Sequence, residues 1–207
     1  MLDGLAAGLS EIVSDPARVL TAPAVVDRLS HDFYWYSPVL RPMLADKMGD
    51  VVVQPVDADE VLSILRFARK RGVAVTTRGA GTGNYGQCVP LEGGIVLDLS
   101  LMDKLVEITE DGVAVCMPGL RLGALETEAR KLGWELRMYP STLVKASVGG
   151  FLGGGSGGIG SVAHGGYATS TRCGRLKWRP WKMSRGWCCM RARRCMRFCT
   201  RGERMGC

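Results

Sequence analysis

The chain has 207 residues, 46% of them hydrophobic and 23% charged, which is ordinary for a soluble globular protein of one sizeable domain or two small ones. Its net charge of +7 suggests a partner such as nucleic acid or an anionic surface, but the charge is not spread evenly. Residues 1–166 carry 15 Lys+Arg against 19 Asp+Glu, a net of −4, whereas residues 167–207 carry 12 against one, a net of +11, so the body gives no reason to expect a nucleic-acid partner.

Cysteine follows the same division, with Cys88 and Cys116 in the body and six more after residue 167, so the body reads as a reduced, cytoplasmic protein. No apolar run reaches the roughly 18 residues of a membrane span. Met1-Leu2-Asp3 opens without a basic segment and an apolar core, so no secretory signal is predicted.

Residues 1–45 read as an N-terminal arm. One or two short helices are predicted before residue 30, broken by Pro16 and Pro23. The aromatic stretch from His31 to Pro38 reads as an anchor for that arm, with His31 or Tyr36 against a cofactor ring as the sharper alternative.

From Val51 the pattern becomes regular. Val51 to Val53 is a predicted strand. Asp57 and Glu60 form a capping-box pattern for a helix that buries Val61, Leu62, Leu65, Phe67 and Ala68. Arg69 to Arg71 suit the C-terminal end of its dipole, and Gly72 stops it. Val73 to Thr77 then forms a strand leading into Arg78, completing a β-α-β unit.

Further on, Ile95 to Leu99 is a strand. Leu105 to Ile108 and Val113 to Met117 form a hairpin around Glu110-Asp111-Gly112. Leu122 to Leu132 is an amphipathic helix ended by Gly133, and Trp134 to Met138 is short and extended. The body is thus expected to be α+β.

Two glycine-rich runs stand out, Arg78 to Gly86 and Gly149 to Gly160. A diphosphate is bound well by a concave row of backbone N–H groups, which needs glycine where φ is positive or the backbone must come close. Gly79, Gly81 and Gly83 alternate after a strand, where such a row would lie, and Ser147 to Ser161 can supply a second wall. Gly81-Thr82-Gly83-Asn84-Tyr85-Gly86 matches G-x-G-x-x-G, but the segment from Gln87 to Gly94 is a turn containing Pro90 where the doubly wound fold needs a helix. Asp98 also arrives too early for the acidic partner of that fingerprint, and no Gly-Lys-Ser/Thr of a P-loop follows either run.

Pro55 with its helix, Val75 to Thr82, Tyr139-Pro140-Ser141 and Ser147-Val148-Gly149-Gly150 together resemble a family of FAD-linked oxidases. It is that of vanillyl-alcohol oxidase and p-cresol methylhydroxylase. Gly153 to Ser161 more closely resembles the branch of the glycolate oxidase subunit and D-lactate dehydrogenase. The resemblance covers roughly residues 30–166. It implies the N-terminal part of a two-subdomain FAD-binding fold of the p-cresol methylhydroxylase type, here an incomplete domain over 46–166.

The cofactor-binding residues implied in the first wall are Arg78, Gly79, Ala80, Gly81, Thr82, Gly83 and Asn84. Those implied in the second are Pro140, Ser141, Ser147, Gly149, Gly150, Gly154, Gly155, Ile159, Gly160 and Ser161. Some relatives attach flavin through a His of the first loop; Thr82, Gly83 and Asn84 stand there, so non-covalent FAD is expected. The resemblance implies hydride transfer to flavin from a 2-hydroxy acid or related alcohol. No catalytic residue and no metal ligand is assigned; His164 reads as a loop residue near the cofactor rather than a base. A non-catalytic FAD-binding or assembly module acting with another chain is the alternative.

Residues 167–207 do not continue the family. They combine six Cys, three Trp and 12 Lys+Arg with one acid, and match no zinc spacing. Back-translation of Trp181 to Trp187, read from the third base of each preceding codon, allows M-E-D-E-P-R-V within an acidic, aliphatic peptide. The tail is therefore expected to be out of frame and disordered or weakly structured, leaving a truncated, inactive chain.

Overall fold

The computed structural model describes residues 2–110 and 112–164, so the expectations for 167–207 lie outside the described residues. The chain divides into two units, the first ending at Met102 and the second starting at Asp103.

The first unit is built on a four-stranded sheet. Its elements are α1 (Leu2–Ser10), β1 (Val19–Leu20), α2 (Pro23–Ser30), α3 (Leu40–Leu44), β2 (Val51–Val53), α4 (Ala58–Arg71), β3 (Val75–Arg78) and β4 (Ile95–Asp98). The strand order is β1-β2-β4-β3. β1 runs antiparallel to β2, and β4 lies parallel between β2 and β3, pairing Ile95 with both Val51 and Val75. The β-α-β unit expected from the sequence is present, with β4 inserted between its two strands.

Alternation along the central strands explains their unbroken apolar runs. Val51, Val53, Ile95 and Leu97 point to one side, into a core with Leu5, Leu9, Val13, Ile64 and Ala68. Val52 and Val96 point to the other, against Val26 of α2, with Leu20 and Leu29 beside them. Each such fully buried aliphatic side chain contributes about 1.5–3 kcal/mol. The N-terminal residues are thus built into this unit: α1 supplies core, and β1 is an edge strand that sequence analysis left out.

Two details of α4 differ from the sequence expectation. Asp57 caps it, its carboxylate accepting from the Glu60 N–H at 2.8 Å. Glu60 does not complete the reciprocal half of a capping box. Its carboxylate instead takes both Arg18 Nη1 and Nη2 at 2.7 Å, the Ser14 N–H at 2.8 Å and the Val56 N–H at 3.0 Å. This hydrogen bonding by Arg18 holds the Glu60 carboxyl down at about 2, against the opposing effect of burial. The buried row is also Glu60, Ile64 and Ala68, four residues apart, while Leu65 is exposed. Leu65 follows Ile64 by one residue, about 100° around the helix, so both cannot face the sheet.

The second unit begins with a hairpin, β5 (Leu105–Ile108) and β6 (Ala114–Cys116), with an irregularity between Leu105 and Glu107. It continues with α5 (Leu122–Lys131), α6 (Val148–Gly153) and α7 (Ser161–His164). Leu122, Leu125 and Ala129 of α5 are fully buried and meet Leu120, Leu136, Ala146, Val148 and Phe151. Leu132 is exposed just past the helix. Residues 134–138 form no strand; the Leu136 N–H is held by the buried carboxylate of Glu126 at 2.8 Å.

Candidate functional site

The first glycine run leaves β3 at Arg78 and forms no helix, which is where a doubly wound dinucleotide fold would have one. Asp98, at the end of β4, is buried and spent on Gln54 Nε2 at 2.7 Å and on the Ser100 N–H and hydroxyl. It is a structural carboxylate and not a ribose ligand.

Arg78 organises the loop from beneath. It is buried, and its Nη1 donates to the His31 carbonyl at 2.5 Å and to Cys88 Sγ at 3.3 Å. Gly81 has φ of 65°, and a side chain there would collide with the Arg78 guanidinium. The loop is fixed on its far side by the Phe33 N–H donating to the Gly83 carbonyl at 2.8 Å. The aromatic stretch thus anchors the glycine loop itself, with Tyr34 buried and Trp35 stacked on Tyr36 at 3.8 Å. Burial pushes the Cys88 thiol above its ordinary range, against the nearby Arg78 charge, so this cysteine is a packing residue and not a nucleophile.

Among the described residues, the backbone N–H groups of Ala80, Gly81, Thr82, Gly83 and Asn84 find no protein acceptor, and these residues are half-buried or exposed. N–H groups left without a protein acceptor are open to acceptor oxygens of water or of a bound ligand.

The second run is organised differently. Ser147 is buried and caps α6, its hydroxyl accepting from the Gly150 N–H at 3.3 Å. The Gly149 N–H donates to the Pro118 carbonyl at 2.7 Å, and a side chain at Gly149 would meet the Pro118 Cβ at 2.6 Å. Gly154 and Gly155 donate to Gly150 and Leu152 at the end of α6. Ile159 forms an antiparallel bridge with Tyr139, which holds the Pro140-Ser141 corner beside Gly158 to Ser161. Gly160 has φ of 90° with the Arg137 carbonyl where a Cβ would go. The Ser161 hydroxyl closes a local turn with the Gly158 carbonyl. The structure therefore gathers Pro140, Ser141, Ile159, Gly160 and Ser161 in one corner, and places Ser147, Gly149 and Gly150 at the start of α6 and Gly154 and Gly155 just past its end.

Sequence reasoning missed the residues that hold the first loop: Asp32, Phe33, Gln87 and Cys88. Only the Asp32-x-Tyr34 spacing, an Asp capping the 3-10 turn Phe33–Tyr36, left a readable signal. Among the described residues, no cluster of His, Cys, Asp and Glu could hold a metal ion, and no helix is long and apolar enough to cross a membrane.

The glycine loop after β3 belongs to the first unit, and the glycine-rich run that opens α6 belongs to the second. Residues 49–172 match the family described as FAD binding domain, and the chain belongs to that family. It is 35% identical over 162 residues to an uncharacterised FAD-linked oxidoreductase of Mycobacterium tuberculosis, covering 78% of this chain and 33% of the relative. It is also 35% identical over 128 residues to a D-lactate dehydrogenase of Archaeoglobus fulgidus, covering 62% and 28%. In fold it resembles alkyldihydroxyacetonephosphate synthase (TM-score 0.68, 20% identity, 79% of this chain and 34% of the other) and p-cresol methylhydroxylase (0.59, 16%, 72% and 29%). The α+β fold is thus of the p-cresol methylhydroxylase type, and the cofactor of the family is FAD. The chain spans about a third of the length of these relatives.

Proposed function

We propose that this chain is the FAD-binding portion of an oxidoreductase acting on a 2-hydroxy acid or a related alcohol, with FAD held non-covalently. The observation that carries the reading is the row of uncommitted N–H donors from Ala80 to Asn84. In this reading those donors and Gly79 face the diphosphate, while Arg78 holds the loop in shape from below. The Pro140-Ser141 corner, Gly160 and Ser161 with the start of α6 at Ser147 to Gly150, and Gly154, Gly155 and Ile159, line the other contacts. The bound flavin would supply the two-electron acceptor, and these residues orient it and exclude water.

The substrate class rests on the similarity to the relative named D-lactate dehydrogenase, lactate being a 2-hydroxy acid. The non-covalent attachment rests on Thr82, Gly83 and Asn84, none of which is a histidine. The test is to purify the full chain, titrate it with FAD and precipitate the complex with acid. The expected result is saturable binding with all flavin released to the supernatant. Flavin retained in the pellet would refute non-covalent attachment, and no binding would refute the site.

We further propose that residues 167–207 are encoded out of frame and that the chain does not turn over a 2-hydroxy acid alone. The support is the abrupt change in charge and cysteine content after Gly166. Nucleotide sequence across codons 160 to 207 decides it: absence of any family-like peptide in another frame would sink the proposal.

A further inference from the structure

Asp32 lies outside both glycine runs, yet its side chain sits against the first. It is only 5% exposed. Its Oδ1 accepts the Tyr34 N–H at 2.8 Å, which caps the 3-10 turn Phe33–Tyr36. Its Oδ2 is fully buried and has no hydrogen-bond partner. That oxygen lies 3.1 Å from the position a Cβ would occupy on Gly83, and the adjacent Phe33 N–H is bonded to the Gly83 carbonyl. The unpaired oxygen is thus held against the middle of the free-donor loop.

Among the described residues no hydrogen bond reaches this oxygen: Arg78 Nη1 donates to the His31 carbonyl and Cys88, the Gln87 amide oxygen accepts the Tyr85 N–H at 3.1 Å, and the neighbouring His31 Nε2 is likewise buried without a partner. Native buried carboxylate oxygens without partners are uncommon, and each calls for a reason. A phosphate cannot provide the partner, because phosphate and carboxylate are both acceptors and both anionic. A hydroxyl can, and the diphosphate of FAD is flanked by the hydroxylated ribityl chain on one side and a ribose on the other.

We propose that Asp32 is a cofactor-binding residue whose Oδ2 accepts a hydrogen bond from a sugar-chain hydroxyl of the FAD seated on residues 79–84. This rests on the reading of that loop as the diphosphate site. The loop N–H groups then take the phosphate oxygens, while the carboxylate beside Gly83 reads the neighbouring hydroxyl. A bare diphosphate is disfavoured by the same charge that favours the full cofactor.

The test uses the full chain and compares wild type with Asp32→Asn. Asparagine caps helical turns about as well as aspartate, so the Phe33–Tyr36 turn is preserved. Two ligands are titrated: FAD, and inorganic pyrophosphate as a competitor. Asp32→Asn is expected to weaken FAD about tenfold, the loss of one hydrogen bond to a charged acceptor, and to leave pyrophosphate binding equal or tighter. An equal weakening of both ligands would assign Asp32 a purely structural role and overturn the proposal, as would unchanged FAD affinity. Failure of the wild type to bind FAD at all would overturn the loop reading and this inference with it, whereas retained FAD binding with no effect of the substitution overturns only the inference.

Discussion

The Arg18–Glu60 pair is a buried ion pair of the first unit, and breaking it should cost measurable stability. Glu60→Gln keeps the shape of the side chain and removes its charge. In the wild type the side chains are 11% and 9% exposed, and the carboxylate accepts from both guanidinium nitrogens and two backbone N–H groups. Its pKa falls from 4.5 to about 2, first because of the Arg18 hydrogen bonds. At about 1.4 kcal/mol for each tenfold shift, this is about 3 kcal/mol of stability at neutral pH. The figure agrees with the roughly 3–5 kcal/mol lost when one partner of a buried pair is removed. A carboxyl depressed in the folded state contributes fully above its unfolded pKa, and the contribution is lost as pH falls through the folded value. Urea unfolding should therefore show a gap of about 3 kcal/mol between wild type and Glu60→Gln near neutral pH, closing between about pH 4.5 and about pH 2. The other carboxylates are common to both proteins and cancel in the difference. A gap as wide at about pH 3 as at neutral pH would show that the loss comes from packing or the lost N–H contacts, and would refute the electrostatic account.

In the second unit, Leu125→Ala should cost about 2–5 kcal/mol, because Leu125 is fully buried among Leu122, Ala129 and Phe151. Thermal melting checks this, and a loss under about 1 kcal/mol would mean the core is not packed as described. Gly81→Ala forces a side chain into positive φ and onto the Arg78 guanidinium. It should weaken FAD binding at least about tenfold while costing only about 1–3 kcal/mol in denaturant unfolding. Unchanged FAD affinity would remove this loop from the site.

The strands β2 to β6 and the helices α4 and α5 were legible because their signals are local. Asp57 begins a helix and Gly72, with φ of 64°, ends it; both cues lie within a few residues of the elements they bound. β1 was missed because two residues, Val19 and Leu20, carry no period, and they become a strand only by pairing with Val52 and Val53. The partner of Glu60 was missed for the same kind of reason. Asp57-x-x-Glu60 is a capping box by spacing, but an Arg 42 residues earlier competes for the same carboxylate and wins with two charge-assisted bonds. Ile64 was passed over for Leu65 because a run of aliphatic residues does not reveal helical phase until a sheet is laid against it.

The two glycine runs look alike in composition and differ in where their backbone N–H groups go. In the run after α5, most donors are already taken: Gly149 by Pro118, Gly150 by Ser147, Gly154 by Gly150 and Ile159 by Tyr139. Its glycines are needed mainly for close approach, to Pro118, to Tyr139 and to Arg137, and its shape is set before any ligand arrives. In the run after β3, only Gly81 and Gly86 adopt positive φ, yet five consecutive N–H groups take no acceptor among the described residues. Leaving them free is costly unless water or a ligand supplies acceptors. The side chains against the loop, Arg78 and Asp32, are one positive and one negative group, both buried, so on the proposal above the loop would select for more than negative charge. A ligand matched to both must carry acceptor oxygens for the backbone and a neutral donor for the carboxylate, joined within a few bonds of each other. A dinucleotide with sugar hydroxyls beside its diphosphate meets that requirement, and a free phosphate does not.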